Sequence, residues 1–180
     1  ATAVISTWNK AGVVRDNLAS LRRQTLPFAS VVVVDNASSD GTAEMIAREA
    51  GALTLEYFRA GVGYEMKSDN SPVTIADRKS EEHLRKRIET KFPTHGILGE
   101  EGGQLVEGTE YTWIIDPLDG TLNYLQGIPH FCISIGLMKN GQFEHAAVVD
   151  PLRNEEFTAS RGAGAQLNGK RIRVAKRTKL

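Results

Sequence analysis

Residues 113–121 read Trp113-Ile114-Ile115-Asp116-Pro117-Leu118-Asp119-Gly120-Thr121 and place two carboxylates directly after an apolar run. The apolar, β-branched segment from Tyr111 to Ile115 predicts a short buried strand. Pro117 and Gly120 predict a turn immediately after that strand. Two acids on one tight turn repel each other unless a cation lies between them, and Mg²⁺ or Mn²⁺ prefers hard oxygen ligands of this kind.

A second acidic segment follows another apolar run. Ile97 and Leu98 precede Gly99-Glu100-Glu101, so this strand also ends in carboxylates. One Asp-Gly turn is usually only a turn. Two acid-bearing strand ends in the same chain indicate a metal site more strongly, and we expect them to lie together.

At these residues the chain resembles the inositol monophosphatase family of Mg²⁺-dependent, lithium-sensitive phosphatases. The resemblance covers roughly residues 44–180, which correspond to the amino-terminal portion of the family fold. Further segments match the family in order and spacing: Ser71-Pro72-Val73-Thr74, Ala76-Asp77, Gly127-Ile128-Pro129-His130-Phe131, Ile133-Ser134-Ile135-Gly136-Leu137, Val149-Asp150-Pro151, Arg161-Gly162-Ala163-Gly164-Ala165 and Asn168-Gly169. So many ordered matches exceed what short motifs give by chance.

The resemblance implies magnesium-dependent hydrolysis of a phosphate monoester by metal-activated water. The substrate would be an inositol phosphate or a related sugar or polyol phosphate. The implied metal ligands are Glu100, Asp116, the Leu118 carbonyl and Asp119, with Mg²⁺ as the cofactor and Mn²⁺ as a possible substitute. The resemblance also implies a catalytic role for Glu100, and Glu101 is expected as an outer partner beside the ligands.

The resemblance also implies roles for four residues around the metals. Asp77 and Thr121 would be catalytic, orienting and deprotonating the attacking water. Gly120 and Thr121 would bind a substrate phosphate oxygen through backbone N–H groups. Lys67 matches a family lysine near the metals and would bind substrate. From the residues alone, an exposed loop lysine is an equally good interpretation.

The first 43 residues follow a different pattern. Two apolar strands, Ala3–Thr7 and Val31–Val34, flank a helical face marked by Val14, Leu18 and Leu21, which predicts a β-α-β unit. This segment resembles the start of a family 2 glycosyltransferase, in which an aspartate at the place of Asp35 contacts a sugar nucleotide. The Asp-x-Asp metal motif of that family does not follow in the sequence.

We therefore expect a β-α-β segment at residues 1–43 and an inositol monophosphatase-like domain at residues 44–180. The fold class is α+β, with two helices packed on an antiparallel sheet. One helix spans Ala43–Arg59, and the second, lined by Leu84 and Ile88, stops before Pro93. The family's carboxyl-terminal layer, with its Trp-Asp-x-Ala-type motif, is expected to be absent, which would weaken catalysis and favour a homodimer or other self-association.

Composition limits the remaining options. The 22 basic and 22 acidic residues balance, so we expect no membrane partner and consider nucleic acid an unlikely one. The lone Cys132 and the lack of a signal-peptide pattern indicate a cytoplasmic location. Two alternatives to a phosphatase stay open: a nucleotide-sugar glycosyltransferase fragment, and a non-catalytic chimera.

Overall fold

The computed structural model describes residues 2–7, 30–35, 41–103 and 108–174. The chain divides into two compact units, residues 1–41 and residues 42–180. In the first unit, strands β1 (Thr2–Thr7) and β2 (Ser30–Asp35) pair in parallel, as a β-α-β unit requires. The helix expected between them lies outside the described residues.

Two helices form one layer of the second unit. Helix α1 spans Thr42–Tyr57 and helix α2 spans Ile75–Lys91. Thr74 caps α2 and forms a capping box with Asp77, which satisfies N–H groups at the helix start. The helix ends two residues before Pro93, as predicted from the clash between a proline and helical backbone.

A seven-stranded sheet forms the other layer, in the order β11-β10-β9-β8-β7-β6-β5. Its strands are β5 (Gly96–Gly99), β6 (Tyr111–Asp119), β7 (Cys132–Lys139), β8 (Gln142–Asp150), β9 (Glu155–Ser160), β10 (Gly164–Leu167) and β11 (Lys170–Ile172). The short helix α3 (Thr121–Leu125) follows β6, and a small hairpin, β3 (Tyr64–Met66) with β4 (Pro72–Thr74), precedes α2.

The α+β fold class is confirmed, with one correction to the sheet. We predicted an antiparallel sheet, but β5 pairs in parallel with β6, and all other neighbours are antiparallel. The long connection between β5 and β6 permits this, because a parallel pair needs a crossover of about a dozen residues. Asn-Gly pairs favour two-residue hairpin turns, and those at Asn140 and Asn168 form such turns between β7 and β8 and between β10 and β11, with positive φ at all four positions.

The core lies between the helices and one face of the sheet. Alternate residues of β6 and β7 are buried, including Trp113, Ile115 and Ile133, and α1 and α2 pack on this face. Gly51 lies inside α1, where a Cβ would come 3.1 Å from Pro151 and 3.2 Å from Ile133. This close approach explains a glycine that otherwise costs a helix about 1 kcal/mol. Within the described residues, no helix is both long and apolar enough to cross a bilayer.

An aromatic cluster closes the end of the core near β5. The Trp113 Nε1–H donates to Nδ1 of His95 at 3.0 Å. The His95 ring also stacks between Phe92 and Tyr111, with centroids 4.8 and 4.7 Å away. Burial lowers the pKa of His95, although the charge of Glu110 opposes the shift. The neutral ring is therefore the form that the fold favours.

We predict that this histidine makes stability depend on pH. Its contribution is fully present above the ordinary histidine pKa of about 6.5 and is lost as pH falls through the lowered folded-state pKa, because the unfolded chain then binds more protons. Denaturant unfolding at pH 8 and at pH 5 measures this contribution as a difference between two proteins. As pH falls, the wild type should lose free energy of unfolding relative to His95→Gln, because the variant lacks the titrating ring and groups that titrate in both proteins cancel. The same pH dependence in both proteins would contradict the assignment.

Candidate metal and phosphate site

The end of β6 carries Asp116 and Asp119. We predicted a turn after Ile115, but the strand continues to Asp119. Its register against β7 shifts between Asp116 and Asp119, which is a β-bulge. Pro117 lacks an N–H and is tolerated in the bulge, while the Leu118 N–H donates to Asp116 Oδ1 at 3.1 Å. The turn prediction was therefore wrong, and the two acids lie on a bulged strand end.

The parallel pairing of β5 with β6 brings the second acidic segment to the first. Gly99 pairs with Ile115, and the Glu100 N–H donates to the Ile115 carbonyl at 3.1 Å. Glu100 consequently lies beside Asp116. Burial, then the Glu100 carboxyl and the charge of Asp119, raise the pKa of Asp116 to about 7. Crowded carboxylates of this kind are a hard-oxygen donor set, which suits Mg²⁺ or Mn²⁺.

Lys67 supplies positive charge to this cluster. Its Nζ donates to Glu100 Oε1 at 2.8 Å and to Glu101 Oε1 at 3.1 Å. Although partial burial opposes it, these two contacts raise the pKa of Lys67 above its usual value. Within the described residues, His, Cys, Asp and Glu side chains do not converge in groups of three ready to hold a metal ion. The Glu100 carboxylate instead accepts the hydrogen bond from Lys67.

Asp77 and Thr121 form the second part of the site. Asp77 is 1% exposed, and its Oδ2 accepts from the backbone N–H of Thr74 at 2.7 Å and from the Thr74 hydroxyl at 2.6 Å. The Thr121 hydroxyl lies 3.0 Å from Asp77 Oδ1 and 3.1 Å from the Leu118 carbonyl. The predicted pair is thus in direct contact, and Thr121 links the buried carboxylate to the end of β6.

Three residues that the sequence analysis missed hold the strand ends in place. The Ser80 hydroxyl donates to the Pro117 carbonyl at 2.9 Å. The buried carboxylate of Glu81 accepts the backbone N–H groups of Glu101 and Gly102, each at 2.7 Å, and Nε of Arg85 at 2.8 Å. Asp77, Ser80 and Glu81 are spaced to continue the inward face of α2 marked by Leu84, and this continuation was the available signal.

Two glycines are required where the Glu81 carboxylate meets the acidic loop. A Cβ on Gly99 would lie 2.4 Å from Glu81 Oε1, and one on Gly102 would lie 2.7 Å from it. Either side chain would displace the carboxylate. Gly120 is constrained differently, because its φ is +97° and a Cβ would lie 3.0 Å from the His130 carbonyl. These glycines allow close packing around the site.

A family model for the inositol monophosphatase family matches residues 35–180. The chain belongs to this family. A second model, glycosyl transferase family 2, matches residues 2–62, which is only about a third of the chain. Family membership is consistent with a metal-dependent phosphatase site at the carboxylates described above.

Relatives in the family carry two kinds of name. Nus factor SuhB of Pseudomonas aeruginosa is 46% identical over 139 residues, covering 74% of this chain and 51% of that protein. Inositol-1-monophosphatase of Rhizobium meliloti is 46% identical over 117 residues, covering 64% and 44%. One of these names describes an enzyme and the other does not. The relatives therefore give no support to our expectation that nucleic acid is an unlikely partner of this chain.

Solved structures give the same family. The extragenic suppressor protein suhB of Bartonella henselae superposes with a TM-score of 0.72 at 35% identity, covering 76% of this chain and 54% of that one. The Thermotoga maritima IMPase gives a TM-score of 0.70 at 35% identity, covering 73% and 52%. The chain therefore spans about half the length of the relatives it matches.

We predict that Asp116→Asn weakens Mg²⁺ binding at least tenfold while leaving the metal-free fold as stable as before, or more stable. The reason is that the change removes a ligand and also removes repulsion within the carboxylate cluster. Titration calorimetry measures the first effect and denaturant unfolding in EDTA measures the second. Glu110→Gln, at an exposed ion pair with Lys139, is the matched control, and unchanged Mg²⁺ affinity in Asp116→Asn would refute the site.

We further predict that Glu81→Gln destabilises the fold by about 1–3 kcal/mol, because one accepting oxygen is replaced by an NH₂ group facing buried donors. Hydrogen exchange at the Glu101 and Gly102 amides should accelerate in the variant. Gly99→Ala should give the same local effect by steric displacement of Glu81. Wild-type exchange rates in both variants would show that this carboxylate does not hold the loop.

Proposed function

We propose that this chain binds Mg²⁺ and hydrolyses a phosphate monoester, with an inositol phosphate or a related sugar or polyol phosphate as the substrate. The observation that carries the proposal is the pairing of two adjacent strand ends, which places Glu100 beside Asp116, with Asp119 as a third carboxylate nearby on the same strand end as Asp116. The contact between Asp77 and Thr121 next to them supports it. The chain spans about half the length of these relatives. The activity of the full-length relatives is therefore part of this proposal.

Four groups would hold the metal: Glu100, Asp116, the Leu118 carbonyl and Asp119. When bound there, Mg²⁺ would supply positive charge to the phosphoryl oxygens, which is the main requirement of phosphoryl transfer. Mn²⁺ offers the same preference for oxygen. Lys67 contacts Glu100 and Glu101. When a cation binds Glu100, this contact of Lys67 would be released, and its ammonium group would be available to a substrate phosphate.

Asp77 and Thr121 would prepare the attacking water. Both oxygens of Asp77 accept hydrogen bonds: Oδ2 from Thr74 and Oδ1 from the Thr121 hydroxyl. Thr121 would therefore contact the water and pass its proton toward Asp77. Gly120 and Thr121 would contact a phosphate oxygen through their backbone N–H groups, as the family resemblance implies.

Two other functions are separable from this one. A glycosyltransferase would bind a sugar nucleotide at Asp35, and the match to that family is limited to residues 2–62. A non-catalytic chain would bind metal and turn nothing over. Phosphate release with Mg²⁺ against a panel of inositol and sugar phosphates, beside binding of a nucleotide-sugar donor, distinguishes the three.

We predict that Thr121→Ala lowers Mg²⁺-dependent phosphate release at least 100-fold, because proton transfer by a positioned group contributes about 10²–10⁴-fold. Thr121→Ser keeps the hydroxyl and should retain activity within about tenfold of the wild type. Mg²⁺ affinity, measured by calorimetry, should change little in either variant. Equal loss of activity in the alanine and serine variants would contradict a role for the hydroxyl.

Asp35→Ala provides the control for the first 43 residues. Phosphate release should be unchanged in this variant if that segment takes no part in the reaction. Donor binding that is present in the wild type and lost in Asp35→Ala would instead favour the glycosyltransferase. Absence of phosphate release from the unaltered chain on the whole panel would favour the non-catalytic interpretation.

A further inference from the structure

A cleft of about 450 Å³ opens beside the carboxylate cluster. Asp119 and Gly120 line one side of it, and Asp150 and Arg153 line another. Its volume lies in the range of small-molecule sites, which is about 300–1,000 Å³. A phosphate at the carboxylate cluster would therefore have its alcohol portion within reach of this cleft, and Arg153 is the arginine among the described residues that line it.

Arg153 is held in place more firmly than an ordinary surface arginine. Asp150 Oδ1 accepts the backbone N–H groups of Leu152 at 3.0 Å and Arg153 at 2.9 Å. Asp150 Oδ2 accepts from Nη1 of Arg153 at 2.7 Å, and the same Nη1 lies 3.4 Å from Nδ1 of His130. The Asp150 side chain is 11% exposed, so the guanidinium is oriented by a largely buried partner before any ligand arrives.

This arrangement leaves donors for a ligand. Both contacts of the guanidinium use Nη1, and its Nε–H and Nη2–H groups donate to none of the described residues. A fixed planar group with adjacent unused N–H donors is suited to vicinal hydroxyl oxygens or to an anion. Arg153 is 48% exposed along its side chain, so these donors are within reach of a ligand.

The charge of the cleft favours hydroxyls over a second anion. Asp150 already neutralises Arg153, and Glu155 adds a further carboxylate to the same lining, while the charge of Asp119 would be offset by the bound metal. A second phosphate would meet this excess of negative charge, whereas uncharged hydroxyls would find both donors and acceptors. Phe131, Val148 and Phe157 also line the cleft and offer apolar surface to the C–H face of a ring.

We infer that Arg153, oriented by Asp150, is a specificity-determining residue that contacts hydroxyl groups of the leaving alcohol. It selects an uncharged polyhydroxylated ring over an alcohol that carries a second phosphate. The inference rests on the proposed phosphatase function and assigns the cleft to the alcohol portion of that substrate.

The test compares three non-hydrolysable probes by calorimetry with Mg²⁺ present. The first is the phosphonate analogue of inositol 1-phosphate, the second is methylphosphonate, which lacks the ring, and the third is the ring analogue with a second phosphonate group. The wild type should bind the ring probe at least tenfold more tightly than either of the others. Arg153→Ala should weaken the ring probe about tenfold and change methylphosphonate affinity less than twofold.

Two further variants control for folding and for charge. The turn should survive Arg153→Ala, because the two backbone N–H groups still bond Asp150, and thermal unfolding by circular dichroism checks this. Arg153→Lys keeps the charge without the planar donors and should weaken the ring probe at least threefold. Arg161→Ala removes an arginine paired with Glu144 at 3.6 Å, away from the cleft lining, and should leave all three affinities unchanged.

The outcomes separate the inference from the function on which it rests. Wild-type affinity for the ring probe in Arg153→Ala or Arg153→Lys overturns the role of Arg153 while leaving the phosphatase proposal intact. Tighter binding of the probe with two phosphonate groups overturns the preference for an uncharged ring. If the unaltered chain binds neither methylphosphonate nor the ring probe in Mg²⁺, the proposed function fails and the inference fails with it.

Discussion

The site depends on the hydrogen bonds accepted by the buried carboxylate of Asp77. That carboxylate takes both the backbone N–H and the hydroxyl of Thr74, which fixes the start of α2 against β4. Its other oxygen meets the Thr121 hydroxyl, which ties the same helix to the residues after β6. A buried charge is tolerated only when it is hydrogen-bonded in this way. One side chain thereby joins three elements that are distant in sequence.

The acidic cluster is held together against its own repulsion. Burial and the neighbouring carboxyls raise the pKa of Asp116 to about 7, which means that the ionised cluster opposes folding. Glu81 and Ser80, bonded to the loop and to the bulge, contribute the opposing stabilisation. Lys67 adds a positive charge. A strained group of charges supported by a well-bonded frame is a common feature of functional sites.

Strand β6 contributes to the hydrophobic core along its middle and to the candidate site at its end. The middle of β6 buries Trp113 and Ile115 against the helices, while its bulged end carries Asp116 and Asp119. The cleft beside Asp119 then runs toward the Asp150 turn, at the end of β8. A substrate bound at the carboxylates would therefore lie along the ends of the strands.

Local sequence determined the parts of this protein that depend on neighbouring residues. Pro93 stopped α2, and Asn140 and Asn168 with their following glycines formed tight hairpin turns, because these preferences belong to the backbone of a few residues. The bulge at Pro117, the parallel pairing of β5 with β6, and the contacts of Glu81 came only from the tertiary structure. They depend on which distant strands and helices meet. The helical spacing of Ser80 and Glu81 indicates that they face inward, but it does not indicate which distant backbone groups they bond.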